Sequence, residues 1–332
     1  MARARKKPIP VTVVAGPRGA GKTTLINRLL GEPGFANTAV IVNDFGEVAL
    51  AGSIVETAAD GYIALSSGCV CCSVRGALTD SLENLLRDLD NGRVAAIGRV
   101  VIEADEAADP AAIVGAILRH PYLSLRFVPD GIVGVVDATA RFAARPETVR
   151  QVAMADVVVS TRGVSAEATA LNARVVDASD VGVADVIGHR AFDAEGGDLD
   201  AWLAIRSGDA GDVHAFATVR ERAIPFAALD RFLEYLAMLQ GPNLIRVRGA
   251  VATSPEDTVI VEGIGGFFYP PAILDRPSGR TRFAVVAHGL DRAMFEGYLD
   301  AFLGEARIDM PDRDALMANP LAIAGFSARS GQ

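Results

Sequence analysis

Two rhythms of apolar and polar positions divide this chain. In the first part, unbroken β-branched blocks alternate with stretches of helical spacing. Ile9 to Ala15 is such a block, closed at once by glycine, and it predicts a buried strand. Lys22 to Leu30 has helical spacing and runs into the breaker cluster Gly31-Glu32-Pro33-Gly34. Strands are predicted over Thr38–Asn43, Arg99–Ile102, Gly131–Asp137 and Ala155–Ser160, with helices over Ser81–Leu89 and Pro110–Leu118. Such alternation predicts a mostly parallel sheet with helices on both faces, because parallel strands need crossover connections that cover the sheet.

The rhythm changes after a Gly/Asp-rich stretch that contains Gly196-Gly197-Asp198 and Gly208-Asp209-Ala210-Gly211-Asp212. Beyond it, Phe226, Leu229, Leu233 and Leu236 mark one face of a helix over Phe226–Leu239. Strands are predicted over Leu244–Val251, Thr258–Gly263 and Arg282–Ala287. A last helix over Arg292–Leu303 has Asp291 as its N-cap. The predicted fold class is α/β, a P-loop NTPase domain followed by a smaller C-terminal α+β domain. The expected division is a disordered tail over 1–9, a nucleotide-binding domain over 10–192, a linker over 193–212, an α+β domain over 213–310 and a tail over 311–332.

Composition narrows the setting. Of 332 residues, 50% are hydrophobic and 22% charged, enough apolar material for two cores. A net charge of −9 argues against nucleic acid or a membrane surface as partner, since both favour a basic face. The basic start, MARARKKPIP, has no long apolar run behind it and reads as a short tail, not a signal peptide. No stretch approaches the roughly 18 apolar residues of a membrane helix. The expected location is the cytoplasm.

Gly16-Pro17-Arg18-Gly19-Ala20-Gly21-Lys22-Thr23 fits G-x-x-x-x-G-K-[ST] at every fixed position, between a buried strand and a helix. Glycines at that spacing let successive backbone N–H groups turn inward on phosphates, and the helix presents its positive end to them. These residues, with Thr24, form the candidate nucleotide site for GTP or ATP. Lys22 is the candidate catalytic cation for the β/γ-phosphates, and the Thr23 hydroxyl a Mg²⁺ ligand. A bare glycine turn is the bland alternative.

All three cysteines, Cys69, Cys71 and Cys72, fall within four residues, whereas a secreted scaffold would scatter an even number. Thiolates are soft ligands suited to Zn²⁺ or Cu(I). Three leave one tetrahedral position for another side chain, a water or an acceptor protein's ligand. Buried inert thiols and a redox role are the alternatives.

With both motifs in view, the chain resembles the CobW family of P-loop GTPases, relatives of the HypB and UreG metal chaperones. The resemblance runs from about Val11 to Gly304. It rests on the phosphate loop, on Val42-Asn43-Asp44-Phe45-Gly46-Glu47 (like the family's N-[ED]-F-G-E), and on Gly68-Cys69-Val70-Cys71-Cys72-Ser73. Val101-Ile102-Glu103, Asp109-Pro110, Val136-Asp137-Ala138 and Arg246-Val247-Arg248-Gly249 extend it. The resemblance implies a slow GTPase-like NTP hydrolase that carries zinc to a client metalloprotein or other acceptor. It makes Glu103 the catalytic acid near Mg²⁺, and Asp44 or Glu47 a further ligand near the thiolates.

The departures are informative. The family's glycine that senses the γ-phosphate has no counterpart in Glu103-Ala104-Asp105-Glu106-Ala107-Ala108-Asp109-Pro110, and Glu106 in its place brings a like charge toward the phosphate. Where the family's N-K-x-D grips guanine stands Ser160-Thr161-Arg162-Gly163-Val164, and Val164 has no acceptor to offer. The switch aspartate is replaced by Ala51. Four scattered histidines (120, 189, 214 and 288) rule out a His-rich storage loop. Two readings follow: a metal chaperone or insertase gated by its nucleotide, or a slowly hydrolysing, nucleotide-bound recruiting factor whose metal is structural or sensing. A small-molecule kinase, which uses the same loop, fits the cysteines poorly.

Overall fold

A computed structural model describes residues 7–42, 56–57, 63–66, 74–94, 96–188, 198–205, 208–210, 212–275 and 277–303. The C-x-C-C cysteines, the Asn43–Glu47 segment and Ala51 lie outside the described residues.

The first sheet is built from β1 (Ile9–Ala15), β2 (Thr38–Val42), β3 (Glu56–Thr57), β4 (Ile63–Ser66), β5 (Arg99–Glu103), β6 (Phe127–Asp137), β7 (Val157–Thr161) and β8 (Val175–Asp177). Its order is β3-β4-β2-β5-β1-β6-β7-β8, and only β3 runs antiparallel. Residues alternate between faces, as the pleat requires. Val11, Val13 and Ala15 of β1 join one core with Leu82 and Leu86 of α2 (Val74–Asp90) and Ile113 of α3 (Pro110–Arg119). Val14 joins the other, with Leu25, Ile26 and Leu29 of α1 (Lys22–Leu30). Both faces are covered, which is why these strands read as unbroken apolar runs.

The second sheet is antiparallel. It contains β9 (Gly208–Ala210), β10 (Val213–Arg220), β11 (Leu244–Ala252), β12 (Thr258–Ile264), β13 (Phe267–Phe268), β14 (Ala272–Leu274) and β15 (Thr281–His288). One face packs on the helices Phe226–Gln240 and Arg292–Phe302, where Phe232, Phe283 and Phe295 meet edge to face with centroids 5.5–6.3 Å apart. The Asp291 carboxylate accepts from the Met294 N–H, as its N-cap position predicts.

The other face lies against the first domain. Val213, Ile245, Ile264, Tyr269 and Val286 belong to the same buried core as Val11 and Ile113. Close approach is built in at Gly115 of α3, where a Cβ would sit 2.4 Å from the Phe267 ring. Between the sheets lies a buried charge cluster. Asp156 accepts from Arg246 (2.5 Å) and Arg248 (2.6 Å), and Glu262 also binds Arg246 (2.5 Å). Burial opposes the Arg246 charge, but Asp156 and Glu262 outweigh it and hold the guanidinium above its ordinary range. Arg248, pushed down to about 10 by burial and by its neighbour Arg246, remains charged at neutral pH.

Several boundaries differ from the sequence expectation. The stretch read as a linker over 193–212 contributes a helix, Leu199–Leu203, and β9, which pairs with β10. Both are too short to give a period, so only their Gly/Asp content was visible. The helix read over Ser81–Leu89 begins at Val74. Helices over Leu123–Arg126, here α4, and Pro146–Met154, here α5, were not anticipated.

Candidate functional site

β1 delivers the chain to the phosphate loop at the carboxyl edge of the parallel sheet, where ligands of open α/β sheets bind. Gly16 has φ +147, and a Cβ there would lie 2.1 Å from the Val135 carbonyl oxygen, so only glycine lets the loop leave β1 over β6. Gly21, at φ +102, turns the chain into α1. Lys22 opens that helix and is 9% exposed; its ammonium donates to the Gly16 carbonyl at 2.8 Å and the Pro17 carbonyl at 3.2 Å. It therefore lies across the loop. The Thr23 hydroxyl donates to a Glu103 carboxylate oxygen at 2.8 Å.

Glu103 ends β5 and is 6% exposed. Thr23 and Glu103, each expected near Mg²⁺, thus set two hard oxygens side by side, 80 residues apart in the chain. Mg²⁺ prefers such oxygens, taking one or two from protein and the rest from phosphate and water. The donor set fits Mg²⁺, which Thr23 and Glu103 would hold from the protein side. Pro17, Arg18, Gly19, Ala20 and Thr24 complete the loop and the first turn of α1.

Thr161 anchors the loop from behind, its hydroxyl set 3.0 Å from the Ala20 carbonyl and 3.2 Å from the Val136 carbonyl. Sequence reasoning gave it no role, although its place at the end of a buried strand is a signal for one. Beyond it, Arg162 (φ +60) pairs with Asp137. Asp137 also accepts from the Thr139 N–H at 2.9 Å and its hydroxyl at 2.8 Å. Those two bonds and Arg162 hold its carboxyl below the usual carboxylate range. Asp137 is a turn residue, the default for a strand-end aspartate. Val164 is exposed.

The turn after β5 closes over the loop. Glu106 accepts from the Arg18 N–H at 3.1 Å, a direct contact with a phosphate-loop amide. The turn is fastened from α5: the Gln151 side chain donates to the Glu106 carbonyl (3.0 Å) and the Ala108 carbonyl (2.9 Å). Arg150 pairs with Asp109 at 3.1 Å and also donates to the Pro242 and Leu244 carbonyls of the second domain. Neither Arg150 nor Gln151 was singled out from sequence, because their partners lie far along the chain.

His120 and several aromatic side chains have structural roles. His120 accepts from the Leu123 N–H at 3.2 Å and faces Glu83, as a capping group does. Trp202 packs on Ala250, Ile260 and Leu274 of the second sheet, its ring beneath Arg248. Tyr269 is buried and Phe267 lies under Arg119. Among the described residues no set of three His, Cys, Asp or Glu side chains could hold a metal, and no helix is long and apolar enough to cross a membrane.

A phosphate loop at the carboxyl edge of a parallel sheet, with an acid at the neighbouring strand end, defines a P-loop nucleotide-binding protein, here joined to an antiparallel α+β domain. The chain belongs to the CobW/HypB/UreG family: that family's nucleotide-binding domain matches residues 10–180, and the cobalamin synthesis protein cobW C-terminal domain matches residues 213–303. It is 40% identical over 131 residues to the zinc chaperone YjiA of Escherichia coli K12, covering 40% of this chain and 41% of that protein. It is 34% identical over 156 residues to the zinc chaperone CobW of Pseudomonas aeruginosa, covering 43% and 40%. The chain thus spans less than half the length of these curated relatives in the matched regions. The crystal structure of Zn(II)-bound YjiA GTPase from E. coli shares the fold, with a TM-score of 0.66 at 23% identity over 90% of this chain and 99% of that one.

Proposed function

We propose that this chain is a zinc chaperone whose thiolate site, Cys69, Cys71 and Cys72, is gated by GTP or another nucleotide bound with Mg²⁺ at the phosphate loop. The observation that carries the reading is the register at the carboxyl edge of the first sheet. Ser66 of β4 is paired with Val42 of β2, and Val42 with Glu103 of β5. The C-x-C-C motif begins three residues after Ser66, and the Asn43–Glu47 segment directly after Val42. The two strands that precede them therefore end level with Glu103, the acid proposed for Mg²⁺. In P-loop proteins the γ-phosphate and its metal order adjoining loops, and hydrolysis releases them. The names of the relatives supply zinc as the cargo, and a client metalloprotein or other acceptor is the destination that a chaperone needs.

In this reading Mg²⁺ supplies charge neutralisation at the phosphates. Thr23 and Glu103 hold it, Lys22 binds the β/γ-phosphates, and the loop amides orient the chain of phosphates. The contact of Glu106 with the loop favours slow turnover, the property of the second reading, in which the protein recruits a partner while nucleotide-bound.

A competition titration of metal-free protein with Zn²⁺, run without nucleotide, with GTP–Mg²⁺ and with ATP–Mg²⁺, tests the proposal. A zinc affinity that one nucleotide shifts, and stoichiometric zinc binding that Cys71→Ser abolishes, are the expected results. Equal affinity in all three runs, or unchanged binding by the Cys71→Ser variant, would overturn it.

A further inference from the structure

We propose that Glu106 is an internal occupant of the γ-phosphate end of the loop, so that this protein holds nucleoside diphosphates more tightly than triphosphates. The inference rests on the phosphate-loop reading above. Phosphate loops bind their ligand through backbone N–H groups that converge on anionic oxygens. In this chain one of those groups, the Arg18 N–H, already donates to a carboxylate oxygen of Glu106 at 3.1 Å. Arg18 stands three residues before Gly21, the N-cap of α1, so its amide would serve phosphate oxygens farther from the helix end than Gly21 and Lys22 do. Glu106 also follows Glu103, the acid of the Mg²⁺ pair, by three residues. Its turn thus covers the side of the loop toward which a third phosphate extends.

Geometry keeps the carboxylate there. Gln151 grips the carbonyls of Glu106 and Ala108, and Asp105 accepts from the Ala107 N–H at 2.9 Å. Asp109 caps α3 through the Ala111 N–H and is paired with Arg150. Arg150 is itself tied to Pro242 and Leu244. The side chain can rotate away, but the backbone that bears it is fixed from two elements, so the charge stays close. A triphosphate must displace the carboxylate from the Arg18 amide and then tolerate a like charge beside its terminal phosphate. A diphosphate meets neither demand.

The test measures equilibrium binding of GDP, GTP, ADP and ATP, each with Mg²⁺, to the wild-type chain and to the Glu106→Gln and Glu106→Gly variants. Wild type should bind each diphosphate at least tenfold more tightly than its triphosphate. Both variants should close that gap by strengthening triphosphate binding, with diphosphate affinity changed less than threefold. Equal affinities in wild type, or variants that weaken triphosphate binding because Glu106 helps hold the metal, would overturn the proposal. If no nucleotide binds wild type or either variant, the phosphate-loop reading itself falls, and this inference with it. Lys22→Ala separates the cases: it should weaken diphosphate and triphosphate alike, a pattern that loss of Glu106 should not produce.

Discussion

The two ends of the candidate nucleotide site have been built to different standards. At the phosphate end each group is held by others: Gly16 fits only as glycine, Lys22 lies across the loop carbonyls, and Thr23 meets Glu103. At the base end the turn after β7 is occupied with its own affairs. Arg162 and Asp137 satisfy each other, Thr161 braces the loop, and Val164 lies exposed. The difference teaches that binding a phosphate chain and choosing a base are separable. The first uses backbone amides and a helix end, which any sequence with the right glycines provides. The second needs particular side-chain acceptors, and those are what this turn lacks.

The largest test of that contrast removes the phosphate end's cation. Lys22→Ala should cost about 2–3 kcal/mol of nucleotide binding, roughly a hundredfold, since hydrogen bonds from charged groups are the stronger kind. The loss should be equal for GTP and ATP, measured by calorimetry. The base end is probed next by wild type alone. A site that hydrogen-bonds a base can reject the wrong one by about 10⁴, and this turn should discriminate GTP from ATP by less than about tenfold. A preference of a thousandfold would mean that residues outside the turn read the base.

The smallest effect concerns Asp137, whose folded-state carboxyl lies below its ordinary range of 3.8. Its contribution to stability is present above that value and is lost as pH falls through the folded pKa. Thr139 is the larger cause and Arg162 the smaller. Thr139→Val, which keeps the backbone N–H but removes the hydroxyl bond, should move the acid-unfolding midpoint toward neutral pH, and Arg162→Ala should move it in the same direction, as followed by circular dichroism. A midpoint that neither variant moves would leave the Thr139 backbone N–H as the sole support of that carboxylate.

How much of this was legible in the sequence follows from what each feature depends on. The phosphate loop was, because its glycines and lysine act through local backbone geometry. The parallel strands were, because both of their faces are buried and leave unbroken β-branched runs. The Thr23–Glu103 pair came only through family resemblance, since nothing local joins residues on different strands. Arg150, Gln151 and the Asp156 cluster were illegible for the same reason. Asp156 and Arg246 are 90 residues apart, and a charge in an apolar strand does not announce its partner. The cysteine motif is the reverse case, plain in the sequence and outside the described residues.

The buried cluster of Asp156, Arg246, Arg248 and Glu262 has a mechanical consequence. Parting the two sheets would strand charges in an apolar interior, and breaking one member of such a pair costs about 3–5 kcal/mol. Opening one half away from the other at this cluster carries a cost of that kind. The cluster thus acts as a clamp between the two sheets, a polar seam set in the face that joins them.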